Sequence, residues 1–314
     1  MQNTENSGAC RGVITAVETF SLHNGPGIRS TLFLKGCPLS CLWCANPETQ
    51  SAELELCYNR DLCIPGCGLC LTAGAGGLTV SGSDGRVDLL RDRAPTPDEI
   101  REYVEICPSG ALYVSGESID SNAVLSRLLK DKPFFDSSGG GVTVSGGEPL
   151  QQSAFSYEVL RGLKKAGVHT ALDTCGHGPS EELLRLSEVS DLILFDLKGA
   201  KSSLHRKWTG VGNELILKNL RLLLETGKEK LRLRIPLVPG MNGSPRELMA
   251  LAELIQELKV REVDLLPYHR LGGGKYLQLG RNNPMPETAL PDRTFMERAV
   301  EVFASRGISA NAES

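Results

Sequence analysis

An α/β protein built on a parallel sheet is the reading on which three features of the sequence agree. Beyond residue 110, short β-branched runs alternate with amphipathic helical stretches, the rhythm of β-α-β units. Six such runs occur along the chain. A stretch rich in Cys, Gly and Pro, from about 52 to 112, interrupts the rhythm. Without its roughly 60 residues about 250 remain, a suitable size for one α/β barrel. Curvature into a partial (β/α)6 barrel suits that length. A doubly wound open sheet is the competing architecture, and periodicity alone does not separate the two.

In chain order, the strands are Ser30–Lys35, Val142–Ser145, His169–Asp173, Leu192–Asp196, Leu231–Ile235 and Val263–Pro267. Apolar residues recur at helical spacing over 152–166, 180–189, 213–226 and 244–259, and a last helix is expected near 291–306. Gly167, Gly227 and Gly307 stand where helices should stop. Inside the Cys-rich stretch the one convincing helix runs from Thr96 to Ile106, with Pro97 at its first position. Residues 1–51 therefore open the barrel, 52–112 form an inserted small domain, and 113–314 complete the barrel. No solenoid period or long low-complexity tract is present.

Composition narrows the function. Hydrophobic residues at 40% and charged residues at 23% are ordinary for a soluble globular chain. The net charge of −4 gives no electrostatic grip on nucleic acid or an anionic membrane. No apolar run reaches the roughly 18 residues of a membrane span, and the polar start MQNTENSGACRG has no signal-peptide core. A cytoplasmic protein is expected. Seven of the ten cysteines (Cys37, Cys41, Cys44, Cys57, Cys63, Cys67 and Cys70) crowd one short region, with Cys10, Cys107 and Cys175 outside it. In a reducing compartment such crowding means metal or cluster ligation rather than disulfides. Cys10 and Cys175 have no ligand-like neighbours in the sequence and read as incidental thiols.

The sharpest motif is Gly36-Cys37-Pro-Leu-Ser-Cys41-Leu-Trp43-Cys44. Cysteines spaced C-x3-C-x2-C straight after a strand reach three corners of one cubane from a single loop. Three ligands on a four-iron cluster leave one iron open. A structural zinc loop closed by a distant fourth ligand is the alternative. Ahead of it stands Asn24-Gly25-Pro26-Gly27-Ile28-Arg29, and behind it Cys44-Ala45-Asn46-Pro47-Glu48. Ser145-Gly146-Gly147-Glu148-Pro149, Asp173-Thr174, Asp196-Leu197-Lys198, Arg234 and Leu266-Pro267-Tyr268-His269 each fall at the carboxyl end of a later strand. That is where α/β barrels gather functional groups. Each also has a plainer explanation. Gly146-Gly147 suits a tight turn, and Asp173 and Asp196 suit helix caps. Trp43 and His269 suit core packing, and Arg234 suits a neighbouring carboxylate.

Taken together and in this order, the motifs resemble those of the radical S-adenosylmethionine (SAM) enzymes. More narrowly they resemble the activating enzymes of glycyl radical enzymes, over nearly the whole chain. The resemblance implies a radical SAM barrel with a 4Fe-4S cluster on Cys37, Cys41 and Cys44, its open iron binding SAM. It implies that Gly146, Gly147 and Glu148 hold the SAM ammonium. Asp173, Asp196, Lys198, Arg234 and His269 would line the rest of the pocket, with Trp43 on the adenine. The implied reaction is one-electron cleavage of SAM to methionine and a 5′-deoxyadenosyl radical, which takes hydrogen from a backbone glycine of a partner glycyl radical enzyme. No side chain is needed as general acid or base. Reduced ferredoxin or flavodoxin would supply the electrons. The partner could be an isethionate sulfite-lyase, a choline lyase, a decarboxylase or a dehydratase, the first being the one to test first. Two other readings stand beside this one: a radical SAM enzyme acting on a small molecule or peptide, and a non-catalytic zinc-binding scaffold. One departure is Asn24, where the family usually has Asp; the charge is lost at a loop assigned to the partner's glycyl segment.

Many members of that family carry two ferredoxin-type cysteine runs in the insertion, each closing with Cys-Pro. Here Cys63-Ile-Pro-Gly-Cys67-Gly-Leu-Cys70 keeps three cysteines of the first run, while its closing Cys-Pro is replaced by Gly74-Ala75. The second run keeps only Cys107-Pro108. In two-cluster ferredoxins the fourth cysteine of each run ligates the other cluster. Cys63, Cys67, Cys70 and Cys107 are thus the full ligand set of one auxiliary 4Fe-4S cluster in a ferredoxin-like domain, giving about eight irons per chain. Cys57 competes for the fourth position, and a zinc knuckle is the alternative occupant.

Overall fold

Residues 10–73, 77–226 and 228–312 are described by the computed structural model. Gly74-Ala75 and Gly227, singled out above, lie outside them. The chain opens with β1 (Arg11–Ser21) and β2 (Arg29–Leu34), an antiparallel pair. The Cys-rich stretch then contributes β3 (Glu55–Tyr58), β4 (Thr79–Ser81), β5 (Val87–Leu89), α1 (Pro97–Ile106) and β6 (Leu112–Ser115). The chain returns through β7 (Glu117–Asp120), α2 (Ser121–Leu128) and α3 (Lys132–Ser138). From there strand and helix alternate. The series is β8 (Gly141–Gly146), α4 (Ser153–Lys165), β9 (His169–Thr174), α5 (Ser180–Glu188), β10 (Leu192–Asp196), α6 (Ser202–Thr209) and α7 (Glu214–Thr226). It closes with β11 (Leu231–Leu237), α8 (Pro245–Glu257), β12 (Glu262–Pro267), α9 (Gly273–Gln278), α10 (Arg293–Ala304) and β13 (Ser309–Ala312).

Among the described residues the main sheet has nine strands in the order β13-β12-β11-β10-β9-β8-β2-β1-β7. From β2 to β13 every pairing is parallel and each new strand is laid beside the last. A doubly wound sheet reverses its strand order at a switch point; this parallel series never reverses. The winding is that of a barrel, left open because the edge strands β13 and β7 do not pair. Curvature follows from the site as well. Five inter-strand spacings would hold β2 and β12 about 24 Å apart in a flat sheet, yet loops leaving both strands line one cavity.

The parallel strands are buried on both faces, which is why they read as nearly continuous apolar runs. Leu32, Val142, Val144, Leu172, Ile193, Phe195, Leu233, Ile235 and Leu265 form one core with Val159, Leu160 and Leu163 of α4, Leu251 and Ile255 of α8 and Phe303 of α10.

The Cys-rich stretch has a core of its own. β3 pairs antiparallel with β6 from Glu55↔Ser115 to Tyr58↔Leu112, and β4 pairs with β5. Ile100 and Tyr103 of α1 are buried against Leu56, Leu78, Val87 and Leu112. The helix begins with a capping box, Glu99 N–H donating to Thr96 Oγ1 (3.3 Å) and Thr96 N–H to Glu99 Oε2 (2.8 Å). Polar contacts tie this unit to α9. Arg91, held to Leu56 O (2.7 Å) within the unit, donates to Gln278 O (2.9 Å), Tyr113 Oη donates to Gln278 Oε1, and Arg281 just past the helix pairs with Glu55. Glu55 also takes the buried Lys35 ammonium at 3.0 Å.

Candidate active site

Gly36, at φ +93°, turns the chain out of β2 into the three-cysteine loop. Backbone bonds then pin that loop on two sides: Cys37 N–H to Gln50 O (3.0 Å), Ser40 N–H to Thr209 O (2.8 Å) and Leu42 N–H to Trp208 O (2.9 Å). Cys37, Cys41 and Cys44 thus rim a cavity of about 540 Å³ at the carboxyl ends of the parallel strands. Burial pushes the Cys37 and Cys41 thiols up to about 12, and that of Cys44 up as well. Trp43 lines the same cavity while packing its indole against Trp208, with ring centroids 6.5 Å apart.

Opposite the thiols, Gly146 and Gly147 present backbone. A Cβ on Gly147 would lie 2.2 Å from Gly36 O and one on Gly146 2.1 Å from Leu34 N, so only glycine lets β8 run this close to the loop. An ion-paired floor joins three strand ends. Arg234 donates to Asp196 Oδ1 (2.9 Å through Nε) and to Asp173. Lys198 Nζ lies 2.9 Å from Asp196 Oδ2, and Ser145 Oγ donates to Asp173 Oδ2 at 2.7 Å. Burial resists charge on Asp196, but Arg234 and Lys198 outweigh it and hold the carboxyl down at about 2. For Asp173 burial prevails over Arg234, and its pKa is raised. Burial also opposes charge on Lys198, yet Asp196 holds its pKa above the usual lysine value. His269 lines the rim, its pKa lowered by burial and by Lys275, so it is neutral at pH 7. This floor offers both charges to a zwitterionic ligand beneath three thiols suited to iron, and the residues present fit an iron–sulfur cluster and SAM.

Glu148 departs from the expectation. Its side chain is fully buried behind the wall and does not line the cavity. The carboxylate accepts from Thr174 Oγ1 (2.6 Å), Leu150 N–H (3.1 Å), Cys175 N–H (2.8 Å) and Cys175 Sγ (2.9 Å). It is a strut between the ends of β8 and β9. Cys175, read from the sequence as incidental, is brought by β9 into the cavity wall against Cys41, where burial keeps it protonated. Spacing along the chain carries no sign of a neighbour that arrives across strands; the position of Cys175 just beyond β9 was the available clue.

Asn24 turns inward, its amide donating to Ser21 Oγ (3.3 Å) and Thr31 Oγ1 (3.1 Å). Arg29 anchors this loop, donating to Pro26 O (3.1 Å), Val142 O (2.8 Å) and Thr143 Oγ1 (2.8 Å), with no carboxylate in hydrogen-bonding reach among the described residues. Burial lowers its pKa to about 10. Thr143 in turn donates to Asn24 O at 2.7 Å.

A second, smaller cavity lies in the Cys-rich stretch, and Cys63, Cys67, Cys70 and Cys107 all line it, with Tyr58, Val87 and Leu112. Cys57 does not. Strand alternation sends it to the opposite face from Tyr58, toward Tyr113, Glu55, Arg91 and Lys35. Burial resists ionisation of Cys107, but the amides of Leu112, Ser109 and Ala111 and the Ser109 hydroxyl prevail and lower its pKa. Among the described residues no three His, Cys, Asp or Glu side chains converge closely enough to hold a single metal ion; the thiols rim cavities instead.

Fold and site together define an α/β-barrel protein with a thiol-rimmed cavity at the carboxyl ends of its parallel strands. A family profile described as a 4Fe-4S single cluster domain matches residues 23–194. The (2S)-3-sulfopropanediol sulfolyase activating enzyme of Bilophila wadsworthia is 41% identical over 290 residues, 91% of this chain and 94% of that one. The isethionate sulfite-lyase activating enzyme of Desulfovibrio desulfuricans is 38% identical over 283 residues, covering 89% and 90%. The choline trimethylamine-lyase activating enzyme of Oleidesulfovibrio alaskensis is 39% identical over 280 residues, covering 88% and 89%. Among solved structures, Streptococcus suis SuiB bound to precursor peptide SuiA aligns at a TM-score of 0.51 over 88% of this chain and 46% of that one, at 15% identity, a likeness of fold alone. The chain belongs to the glycyl radical enzyme activating enzymes of the radical SAM superfamily. It is an enzyme whose family implies SAM, a 4Fe-4S cluster and a glycyl radical enzyme as protein partner. Among the described residues, no helix is long and apolar enough to cross a membrane.

Proposed function

We propose that Cys37, Cys41 and Cys44 hold the SAM-binding cluster and that the cavity beneath them holds SAM for activation of a lyase-type glycyl radical enzyme. The observation that carries this reading is the meeting of three thiols, the Gly146-Gly147 backbone and the Asp173–Arg234–Asp196–Lys198 floor around one cavity. Bound there, a cluster and SAM would supply one-electron reductive chemistry for hydrogen-atom abstraction. The chain's own residues position and seclude. Gly146 and Gly147 offer close backbone to the ligand's ammonium, Arg234 and Lys198 offer charge to its carboxylate, and Trp43 and His269 flank its ring system. Glu148 acts from behind, through the loop it braces.

The division into 1–51, 52–112 and 113–314 is part of the same reading, supported by the separate core of the Cys-rich stretch; the β3–β6 pairing carries that unit on to Ser115. Within it, Cys63, Cys67, Cys70 and Cys107 would hold one auxiliary 4Fe-4S cluster, supported by the cavity they share and by the turning away of Cys57. A reduced ferredoxin or flavodoxin in the cytoplasm would supply electrons; all ten cysteines are free thiols, as a reducing compartment keeps them. For the partner, relatives named for isethionate, choline and sulfopropanediol lyases are 38–41% identical, against 33–34% for those named for dehydratases or a decarboxylase. A lyase that cleaves a carbon–sulfur bond is the first partner to test.

The test is anaerobic incubation of the reconstituted chain with SAM, reductant and purified isethionate or sulfopropanediol lyase. A glycyl radical signal in electron paramagnetic resonance and release of 5′-deoxyadenosine are expected, both abolished by Cys41→Ala. SAM cleavage undiminished in that variant would overturn the site assignment. A radical on neither lyase would overturn the partner assignment.

A further inference from the structure

Beside the four-cysteine cavity, three large aliphatic side chains face water. Leu62, Ile64 and Leu69 are each 50% exposed, and Ile64 and Leu69 also line the cavity itself. The backbone holds them there: Gly66 and Gly68 take φ of +78° and +62°, turning the thiols inward and leaving the intervening side chains outside. Among the described residues none of the three joins the insertion's own core, where Leu56, Leu78, Ile100, Tyr103 and Leu112 close on one another. Most charges nearby are paired, and the exposed Asp61 carboxylate beside Leu62 has no ion pair among the described residues. Arg60 pairs with Asp84 and Asp88, and Arg86 pairs with Asp84, two positive groups against two negative.

We propose that Leu62, Ile64 and Leu69 are the docking face for the electron donor, a small one-electron redox protein whose own centre sits beneath an uncharged apolar rim. This rests on the reading that the four thiols hold a cluster. The size of the face fits that occupant. Three half-exposed aliphatic side chains offer roughly 300 Å² of apolar surface, far below what a stable dimer buries and suited to a brief redox encounter. The step asks only for close, dry approach: one electron leaves the reduced donor, one arrives at the cluster, and no bond or proton moves. With Arg60, Arg86, Asp84 and Asp88 paired and only Asp61 left over, the donor is held by apolar contact more than it is steered by a field. Its reduction of the cluster should therefore change little with salt. Exposed apolar groups also stand near the SAM cavity, where Leu271 is 78% and Leu22 67% exposed. Those lie where a glycyl partner must enter, so a donor docked on the insertion would not compete with it.

The experiment compares full-length wild type with Leu62→Glu, Ile64→Glu and Leu69→Glu, using a reduced two-cluster bacterial ferredoxin as probe. Leu62 does not line the cavity, so its variant should keep all its iron even if the other two lose some; Leu62→Met serves as the conservative rescue. Ferredoxin binding is followed by calorimetric titration, and cluster bleaching by stopped flow with ferredoxin or with dithionite. The expected result in Leu62→Glu is binding weakened about tenfold and ferredoxin-driven bleaching slowed about tenfold, with dithionite-driven bleaching unchanged and both losses reversed in Leu62→Met. Unchanged ferredoxin binding and rate in all three Glu variants would overturn the proposal. Loss of radical installation with dithionite as the reductant, at normal iron content, would also overturn it, by giving the face to the glycyl radical enzyme. Wild type that holds only about four irons would overturn the cluster reading itself, and this inference with it.

Discussion

Glu148 accepts four hydrogen bonds while no part of it reaches water, and three of the donors belong to Thr174 and Cys175. Deleting its carboxylate strands buried donors, each at about 1–3 kcal/mol. Glu148→Ala is therefore expected to lower thermal stability by about 3 kcal/mol or more. Loss of SAM affinity should follow only through the slackened β8 and β9 loops. Lost affinity at an unchanged melting temperature would instead put the carboxylate on the ligand. The thiols allow a sharper comparison. Cys107 shares a cavity with Cys63, Cys67 and Cys70, whereas Cys57 lies across strand β3 from it. If the four thiols hold the proposed second cluster, Cys107→Ser should lose about half of the chain's iron and Cys57→Ser none; iron analysis giving the reverse would make Cys57 the fourth ligand. The three thiols on the first cavity were legible from spacing because they lie on one short loop. The burial of Glu148 and the arrival of Cys175 were not, since both come from neighbouring strands distant in sequence.

Elements buried on both sides were easiest to read. Six of the seven parallel strands stand where β-branched and Leu-rich runs place them, the short β13 being missed, and α4, α5, α7, α8 and α10 begin and end within about two residues of their apolar periodicity. The strand β1 was not read, because register shifts between Ile14 and Ala16 and between Glu18 and Ser21 break its alternation. The short helices α6 and α9 were also missed, the first being polar at most positions and the second starting on Gly273-Gly274. At this scale the approach of β8 to the cysteine loop is the most exposed to mutation. A Cβ at Gly147 would meet Gly36 O at 2.2 Å and Thr49 O at 2.8 Å, both backbone atoms that cannot step aside singly. Gly147→Ala should displace the loop, lowering SAM affinity at least tenfold and broadening the spectrum of the cluster there, while far-ultraviolet circular dichroism stays unchanged. Wild-type affinity in that variant would mean that the loop is far more pliant than its backbone bonds indicate.

For the molecule as a whole, barrel and doubly wound sheet share the same strand–helix rhythm, so periodicity left both open. Strand order separates them, and order depends on which strand pairs with which across the whole chain. The helix α9 is the feature with the widest reach. One side of it meets the insertion through Arg91, Tyr113 and the Arg281–Glu55 pair. Its Lys275 holds Asn46 Oδ1 (2.8 Å) and Glu48 Oε1 (2.6 Å) just past the cluster loop, and His269 and Leu271 precede it on the cavity rim. Thermodynamic reciprocity then applies: whatever free energy SAM gains from an ordered α9, the insertion gains from bound SAM. Amide hydrogen exchange reports it directly. Adding SAM should slow exchange in β3 and β6 as well as in the cavity loops, and Arg91→Ala should erase the distant effect while sparing the near one. Equal protection of β3 and β6 with and without SAM would mean that the two ends of α9 are energetically independent.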